Sequence, residues 1–199
     1  MNLGYLCNIA CTHCHVNAGP NRTELMDRAT MAQALAVIDH FGIGTLDVTG
    51  GSPEMNPEFR WLVGEARARG VHVMDRLNPT IMEEPGYDWV APFLAEHRVE
   101  TIASLPCHSK ENVDAQRGNG VFEASISALQ TLNEYGYGKP DTGLVLNLVY
   151  NPVVTYYDYS ASKAALVSLT RNMAEDCVEI KAAVGRALWL RRQCDPVRR

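Results

Sequence analysis

The residues with the most distinctive chemistry in this chain are three closely spaced cysteines, Cys7, Cys11 and Cys14, in a C-x3-C-x2-C spacing. Cysteine thiolates are the protein ligands of iron–sulfur clusters, and three of them this close together converge on one small object. A cubane cluster has four irons, so three cysteines leave one iron open to a substrate or cofactor. A structural zinc site normally has four ligands, and His13 or His15 would have to supply the fourth. The spacing therefore favours a cluster over zinc.

The rest of the sequence indicates a reducing environment for these thiols. A disulfide would require an oxidising compartment, and the N-terminus has no basic segment followed by an apolar segment of the signal-peptide kind. No apolar run approaches the roughly 18 residues of a membrane span. We therefore expect a cytoplasmic protein that is not associated with a membrane. The net charge of −5 gives no indication of nucleic-acid binding.

Short apolar runs alternate with helix-period segments along the chain, and this order predicts β/α units with a parallel sheet. The strand candidates are residues 3–6 (a shortened strand), 45–49, 71–74, 101–105 and 144–150. We interpret three helical apolar stripes between them as core surface. Their members are Met31, Leu35 and Ile38, then Phe59, Leu62, Val63 and Ala66, and finally Phe122, Ile126 and Leu129. Asn56 and Pro57 are predicted to begin the second of these helices, as its N-cap and first residue.

Five β/α units in a row suggest a barrel or part of one, and such barrels gather their active site at the C-terminal ends of the strands. The residues with chemical potential all fall at those predicted ends. In chain order they are the three cysteines, residues 49–54 with Gly50, Gly51 and Glu54, residues 75–78, residues 104–107, and Asn147 with Asn151. The sequence therefore predicts one site along a single edge of the sheet.

Two of these motifs together resemble the radical S-adenosylmethionine (SAM) superfamily. The resemblance implies that the three cysteines hold a [4Fe–4S] cluster whose open iron binds the methionine end of SAM. It also implies that a glycine-rich motif after the second strand, here Gly50 and Gly51 with Glu54 as the acid, holds the amino group of SAM. The family's Gly-Gly-Glu is stretched here to Gly-Gly-Ser-Pro-Glu. Taken alone, the two glycines are equally consistent with an ordinary strand-to-helix turn.

Several longer strings are similar, in the same order, to the arsenosugar-biosynthesis radical SAM enzymes. They are residues 2–8, 13–24, 49–57, 104–107, 112–118 and 144–152. The resemblance implies reductive cleavage of SAM to a 5′-deoxyadenosyl radical and transfer of the deoxyadenosyl group to a methylated trivalent arsenic species. An electron donor such as flavodoxin or ferredoxin is implied as a partner, and Ser104 and Asn147 are candidates for contacts to the ribose or adenine of SAM.

Three further residues of that region have two interpretations each. Cys107 is a candidate contact to the arsenic substrate, because a soft thiolate suits a thiophilic element; the alternative is a small buried hydrophobe. Arg117 and Asn112 lie in a polar segment, residues 110–120, that precedes a helix. They are candidates for contacts to substrate or to the SAM carboxylate, and we slightly favour the alternative that they face solvent.

The resemblance ends near residue 152, so we predict an α/β fold with two parts. Residues 1–152 form an incomplete (β/α) barrel of the radical SAM type, and residues 153–199 form a helical tail of unrelated character with a basic end. Residues 157–174 resemble the Tyr-x3-Lys helix of short-chain dehydrogenases/reductases, with Tyr159 and Lys163, but no Rossmann glycine fingerprint precedes them. The sequence is therefore consistent with three alternative functions. We favour a radical SAM enzyme or a fragment of one; the second alternative is a non-catalytic iron–sulfur or metal-binding fragment, and the least favoured is a dehydrogenase.

Overall fold

A computed structural model describes residues 1–12 and 14–149 of the chain. Four parallel strands form one sheet in sequence order: β1 (Thr45–Val48), β2 (His72–Asp75), β3 (Glu100–Ser104) and β4 (Leu146–Val149). The register places Val48 beside Asp75, Asp75 beside Thr101, and Ser104 beside Val149. All four C-terminal strand ends therefore lie along one edge, as the sequence predicts.

One helix precedes β1, and the other helices lie between consecutive strands of the sheet. They are α1 (Arg28–Phe41), α2 (Phe59–Ala68), α3 (Val90–Glu96), α4 (Lys110–Arg117) and α5 (Val121–Glu134), with short 3-10 turns at Pro53–Met55 and Pro79–Glu83. Local signals fix the ends of α1: the Asp27 carboxylate accepts from Thr30 N at 2.7 Å, and Gly42 ends the helix in the left-handed conformation. Alternate strand residues such as Leu46, Val73 and Ala103 are buried in the core.

The segment expected to form a first strand, residues 3–6, is not a regular strand. It makes isolated bridges only, antiparallel at Gly4 with Leu25 and parallel at Leu6 with Gly19, and the preceding Asn2 makes a parallel bridge with Thr49. The backbone of Gly4 has a φ of +136°, which breaks the extended conformation of a strand. The segment still lies beside the end of β1, because Gly51 N donates to Gly4 O at 3.0 Å.

The predicted α/β architecture with a parallel sheet is confirmed, and the bounds of β1 to β4 differ from the predicted ones by at most two residues at either end. Helix α2 begins at Phe59 instead of Pro57. Asn56 precedes it with its side chain bound to three backbone groups: it donates to Leu3 O and Met26 O and accepts from Glu58 N.

Two helix predictions need correction. On α5 the buried face is Val121, Ser125, Ala128, Leu129 and Leu132, so of the predicted stripe only Leu129 is fully buried. The polar segment expected to precede that helix contains a helix of its own, α4, which Ser109 caps by accepting from Asn112 N at 3.4 Å. Because α4 is short and strongly polar, its sequence has little of the apolar periodicity that marks a helix.

The predicted helical tail, residues 153–199, and the Tyr159 and Lys163 motif lie outside the described residues. In the described part of the chain, none of the helices has both the length and the apolar character needed to cross a membrane.

Candidate cluster- and cofactor-binding site

The edge of the sheet brings the cysteine loop, residues 7–14, into contact with the segments that come after β1, β2 and β3. Asn8 is the centre of this contact: its Nδ2 donates to Thr80 Oγ1 at 3.0 Å, and its Oδ1 accepts from Ser52 Oγ at 3.1 Å and from Asn78 Nδ2 at 2.6 Å. The loop also reaches the end of α4, where Thr12 N donates to Gln116 O at 3.0 Å. One hydrogen-bond network thus joins segments far apart in sequence.

The three cysteines of the loop have different surroundings. Cys7 is buried, with its Sγ 3.4 Å from Ser52 Oγ, whereas Cys11 and Cys14 are half-buried. Cys14 Sγ accepts from Ala18 N at 3.3 Å. No disulfide joins these three thiols.

The pKa of the Cys11 thiol is affected by both other cysteines. Burial raises this pKa, the nearby guanidinium of Arg117 opposes the increase, and Cys7 and Cys14 raise the pKa further. The three thiols therefore share one electrostatic neighbourhood with a buried guanidinium beside it.

The donor set fits an iron–sulfur cluster in its chemistry. Among residues 1–12 and 14–149, no group of three or more His, Cys, Asp or Glu side chains is arranged to hold one metal ion. The ligands of one zinc ion all lie within about 2.0–2.3 Å of a single point. The cysteines of a cluster each bind a different iron and stand farther apart. Three soft thiols on one loop, one buried and two toward the open side, suit the second arrangement.

The glycines after β1 allow the close approach of two backbone segments. A Cβ added to Gly51 would lie 2.2 Å from Leu6 O and 2.9 Å from the Cβ of Cys7, and one added to Gly50 would lie 2.7 Å from Gly4 O. The N–H groups of Gly51 and Ser52 donate to Gly4 O and Leu6 O. An ammonium group such as that of SAM needs acceptors, so the carbonyl groups of this loop, and not those two N–H groups, are suited to bind it.

Glu54 is buried beside Asp75, the last residue of β2. Its carboxyl group is fully buried, as is that of Asp75, and among the described residues neither has a hydrogen-bond partner outside this pair. Burial, and then the negative charge of Asp75, raise the pKa of Glu54 well above its usual range. Burial also raises the pKa of Asp75 to about 7. A contact from Glu54 to SAM stays a prediction, and it would require the carboxylate to leave this pocket.

Arg117 does not face solvent, so the alternative that we slightly favoured is wrong for this residue. It is buried, its Nη2 donates to Asn78 Oδ1 at 2.8 Å, and its Nη1 donates to the backbone oxygen of Ser104. Its Nε has no partner among the described residues. The spacing of Val113, Gln116 and Arg117 on one face of α4 is the sequence signal that could have shown this burial. Asn112, by contrast, is exposed as expected.

The last three predicted site residues have different relations to this network. Ser104 is half-buried at the end of β3, where its carbonyl accepts from Arg117. Cys107 is buried, and its Sγ lies 3.5 Å from Asn112 Nδ2. Asn147 is exposed within β4, and its Nδ2 donates to Glu100 Oε1 at 2.7 Å. No hydrogen bond between Asn147 and the cysteine loop is present in the described part of the chain.

Among the side chains that contact the Cys7 thiol, sequence reasoning gave no role to those of Asn8 and Ser52. Both are small polar residues whose importance depends on contacts to distant segments. The position of Ser52, directly after Gly51, was the available signal, because that is where the family motif has its acidic residue.

The sequence model of the radical SAM superfamily matches residues 1–159. The chain belongs to the radical SAM superfamily. This membership confirms at the level of the family that the cofactors are SAM and a [4Fe–4S] cluster.

The chain is similar to several characterised proteins. It is 27% identical over 149 residues to the mycofactocin maturase MftC of Mycobacterium ulcerans (strain Agy99), covering 72% of this chain and 38% of that protein. It is 26% identical over 139 residues to the Fe-coproporphyrin III synthase of Methanosarcina barkeri (strain Fusaro), covering 68% of this chain and 33% of that protein. The chain therefore spans well under half the length of these relatives.

Solved structures confirm the fold. The crystal structure of Streptococcus suis SuiB bound to S-adenosylmethionine matches with a TM-score of 0.63 and 12% identity, over 87% of this chain and 44% of that one. The structure of the methyltransferase TsrM from Kitasatospora setae, with cobalamin and a [4Fe–4S] cluster bound, matches with a TM-score of 0.51 and 15% identity, over 85% of this chain and 34% of that one.

Proposed function

We propose that this chain is the cluster- and SAM-binding part of a radical SAM enzyme. The observation that carries the proposal is the single hydrogen-bond network that joins the cysteine loop to the segments after β1, β2 and β3, with three thiols in one electrostatic neighbourhood. When bound, the cluster and SAM supply a one-electron reductive cleavage that yields a 5′-deoxyadenosyl radical. The protein itself binds, orients and excludes water.

The residues divide this work among them. Cys7, Cys11 and Cys14 hold the cluster, and the buried position of Cys7 keeps water from that side. The carbonyl groups of Gly50 and Gly51 accept from the amino group of SAM. The carboxylate of SAM needs a cation, and the buried guanidinium of Arg117, with one N–H group unpartnered among the described residues, is suited to that role.

The exposed side of the loop suits electron entry. Cys11 and Cys14 are half-buried, so a small electron-transfer protein such as flavodoxin or ferredoxin can approach them more closely than Cys7. Such a donor and reduced thiols both agree with a cytoplasmic location.

For the substrate, the sequence strings shared with the arsenosugar-biosynthesis enzymes support a methylated trivalent arsenic species. Cys107, buried beside Asn112 after β3, is the soft ligand that we assign to it. In Cys107→Ala we expect loss of deoxyadenosyl transfer to dimethylarsenite, with formation of 5′-deoxyadenosine unchanged, as measured by mass spectrometry of both products. Full transfer by the variant would contradict the role of Cys107.

Electron paramagnetic resonance of the anaerobically reconstituted, dithionite-reduced full chain tests the function itself. We expect a [4Fe–4S]+ signal that changes shape when SAM is added, together with 5′-deoxyadenosine in the product. Cys14→Ala is expected to abolish the signal, while the matched variant Cys107→Ala keeps it. A signal indifferent to SAM would instead identify a non-catalytic cluster-binding fragment. Binding of a nicotinamide cofactor without a cluster would favour the dehydrogenase alternative.

A further inference from the structure

The thiol of Cys7 faces two side-chain donors that the proposed function does not use. Ser52 Oγ lies 3.4 Å and Asn78 Nδ2 lies 3.8 Å from Cys7 Sγ, and both Ser52 and Asn78 are buried. Sulfur is large and diffuse, so these distances are within the range of hydrogen bonds to it. The Ser52 hydroxyl now donates to Asn8 Oδ1. It can rotate to donate to a thiolate instead, because Asn8 Oδ1 would still accept a hydrogen bond from Asn78 Nδ2.

The orientation of the Asn78 amide is fixed by its other partners. Its Oδ1 accepts from Arg117 Nη2 at 2.8 Å and from Thr80 Oγ1 at 3.1 Å. A guanidinium has only donors, so the amide oxygen must be the atom that faces Arg117. The amide nitrogen therefore faces Cys7 and Asn8. The buried guanidinium of Arg117 thus holds the oxygen side of the amide, and the N–H dipole on the other side points to the sulfur of Cys7.

We infer that Asn78, oriented by Arg117, and Ser52 are positioning residues that raise the reduction potential of the cluster through hydrogen bonds to Cys7. The inference rests on the proposed function and adds control of the cluster's reduction potential to the binding of the cluster and SAM. One electron from an external reductant enters the cluster, and no proton or leaving group is exchanged. The added negative charge is partly delocalised onto the cysteine sulfurs, so donors aimed at a sulfur stabilise the reduced state.

Two variants separate this tuning from a general effect on folding. Asn78→Asp keeps an oxygen for Arg117 and Thr80 but replaces the donor that faces Cys7 by an acceptor. Ser52→Ala removes the nearer donor with almost no change in shape. We expect a lower midpoint potential in both variants, with the larger decrease in Asn78→Asp, in redox titrations of the reconstituted chain followed by electron paramagnetic resonance with dithionite as reductant.

Matched controls lie on α5. Ser125→Ala removes a buried hydroxyl that has no partner among the described residues, and Asn133→Asp adds the same charge as Asn78→Asp at a half-buried position. Both controls should keep the wild-type potential. A cluster that forms in all variants at one potential would overturn the inference and leave the proposed function intact. Failure of the wild-type chain to assemble any cluster would overturn both.

Discussion

Replacing Asp75 with asparagine is expected to increase the free energy of unfolding at pH 8 by about 1–3 kcal/mol and to make stability less dependent on pH. This is an unusual direction for a mutation in a core, where most substitutions destabilise. The expectation arises from the pairing of two carboxyl groups, Glu54 and Asp75, in a fully buried pocket.

The cost of this pair comes from desolvation. Burial raises the pKa of Asp75 from 3.8 to about 7, and a shift of about 3 units corresponds to about 4 kcal/mol once the group is ionised. The neighbouring carboxyl of Glu54 lowers the pKa of Asp75, which is the effect of a protonated acid donating to a carboxylate. An asparagine would forgo that charge-assisted hydrogen bond, so we expect it to recover only a part of the desolvation cost.

The sign of the pH dependence is set by proton binding. Both folded-state pKa values lie above those of the unfolded chain. Between about pH 4 and pH 7 the native state therefore binds more protons than the unfolded state, and the free energy of unfolding falls as the pH rises. The groups that act on the pair electrostatically are Asp47, Cys7, Tyr87 and Tyr137.

Urea unfolding of the full chain at pH 5, 6, 7 and 8, monitored by circular dichroism, measures the effect. The difference between Asp75→Asn and wild type should grow with pH and level off above pH 7. Asp88→Asn, at an exposed position, is the control and should behave like the wild type. The expectation would be contradicted if wild type and Asp75→Asn had the same free energy of unfolding at pH 8 and the same dependence of that free energy on pH. That result would show that other interactions in the folded state offset the desolvation cost of the Asp75 carboxylate.

The sequence was sufficient to predict the parts of the site that depend on topology. In a parallel sheet all C-terminal strand ends meet at one edge, so locating the strands and the residues directly after each strand was enough to place Gly51 and Asn78 near the cysteine loop. Exact strand bounds were not needed, because an error of one residue in a predicted bound changes the expected position of a loop residue by only a few ångströms.

Side-chain direction was not accessible in the same way. Glu54 and Ser52 are two residues apart in one turn, yet Ser52 faces Cys7 and Glu54 is buried against Asp75. A motif match assigns a role by residue type and would choose the acid, whereas the backbone conformation decides which side chain reaches the site. Arg117 was misjudged for a related reason, because its partners, Asn78 and the Ser104 carbonyl, come from other segments.

Replacing Gly51 with alanine is expected to abolish cluster uptake, with a loss of stability of about 1–3 kcal/mol or more from overpacking. The new Cβ would lie 2.2 Å from Leu6 O, 2.7 Å from the carbonyl carbon of Leu6 and 2.9 Å from the Cβ of Cys7. The first two are backbone atoms that cannot rotate away. Relief requires the whole segment leading into Cys7 to move outward, and this would strain the hydrogen bond from Ser52 N to Leu6 O, now 2.9 Å.

Displacement of that segment acts on the site through Cys7. Its sulfur would move away from Ser52 and Asn78, and Cys7 would leave the electrostatic neighbourhood that it shares with Cys11 and Cys14. We expect iron content after anaerobic reconstitution to fall to background, while circular dichroism still shows a folded chain. Gly44→Ala is the matched control: no atom of the described residues lies within 4 Å of its added Cβ and its φ is ordinary, so alanine there should be neutral or stabilise the chain by about 0.4–1 kcal/mol. Normal iron uptake by Gly51→Ala would show that the loop after β1 does not position Cys7, and the glycines would then be an ordinary turn.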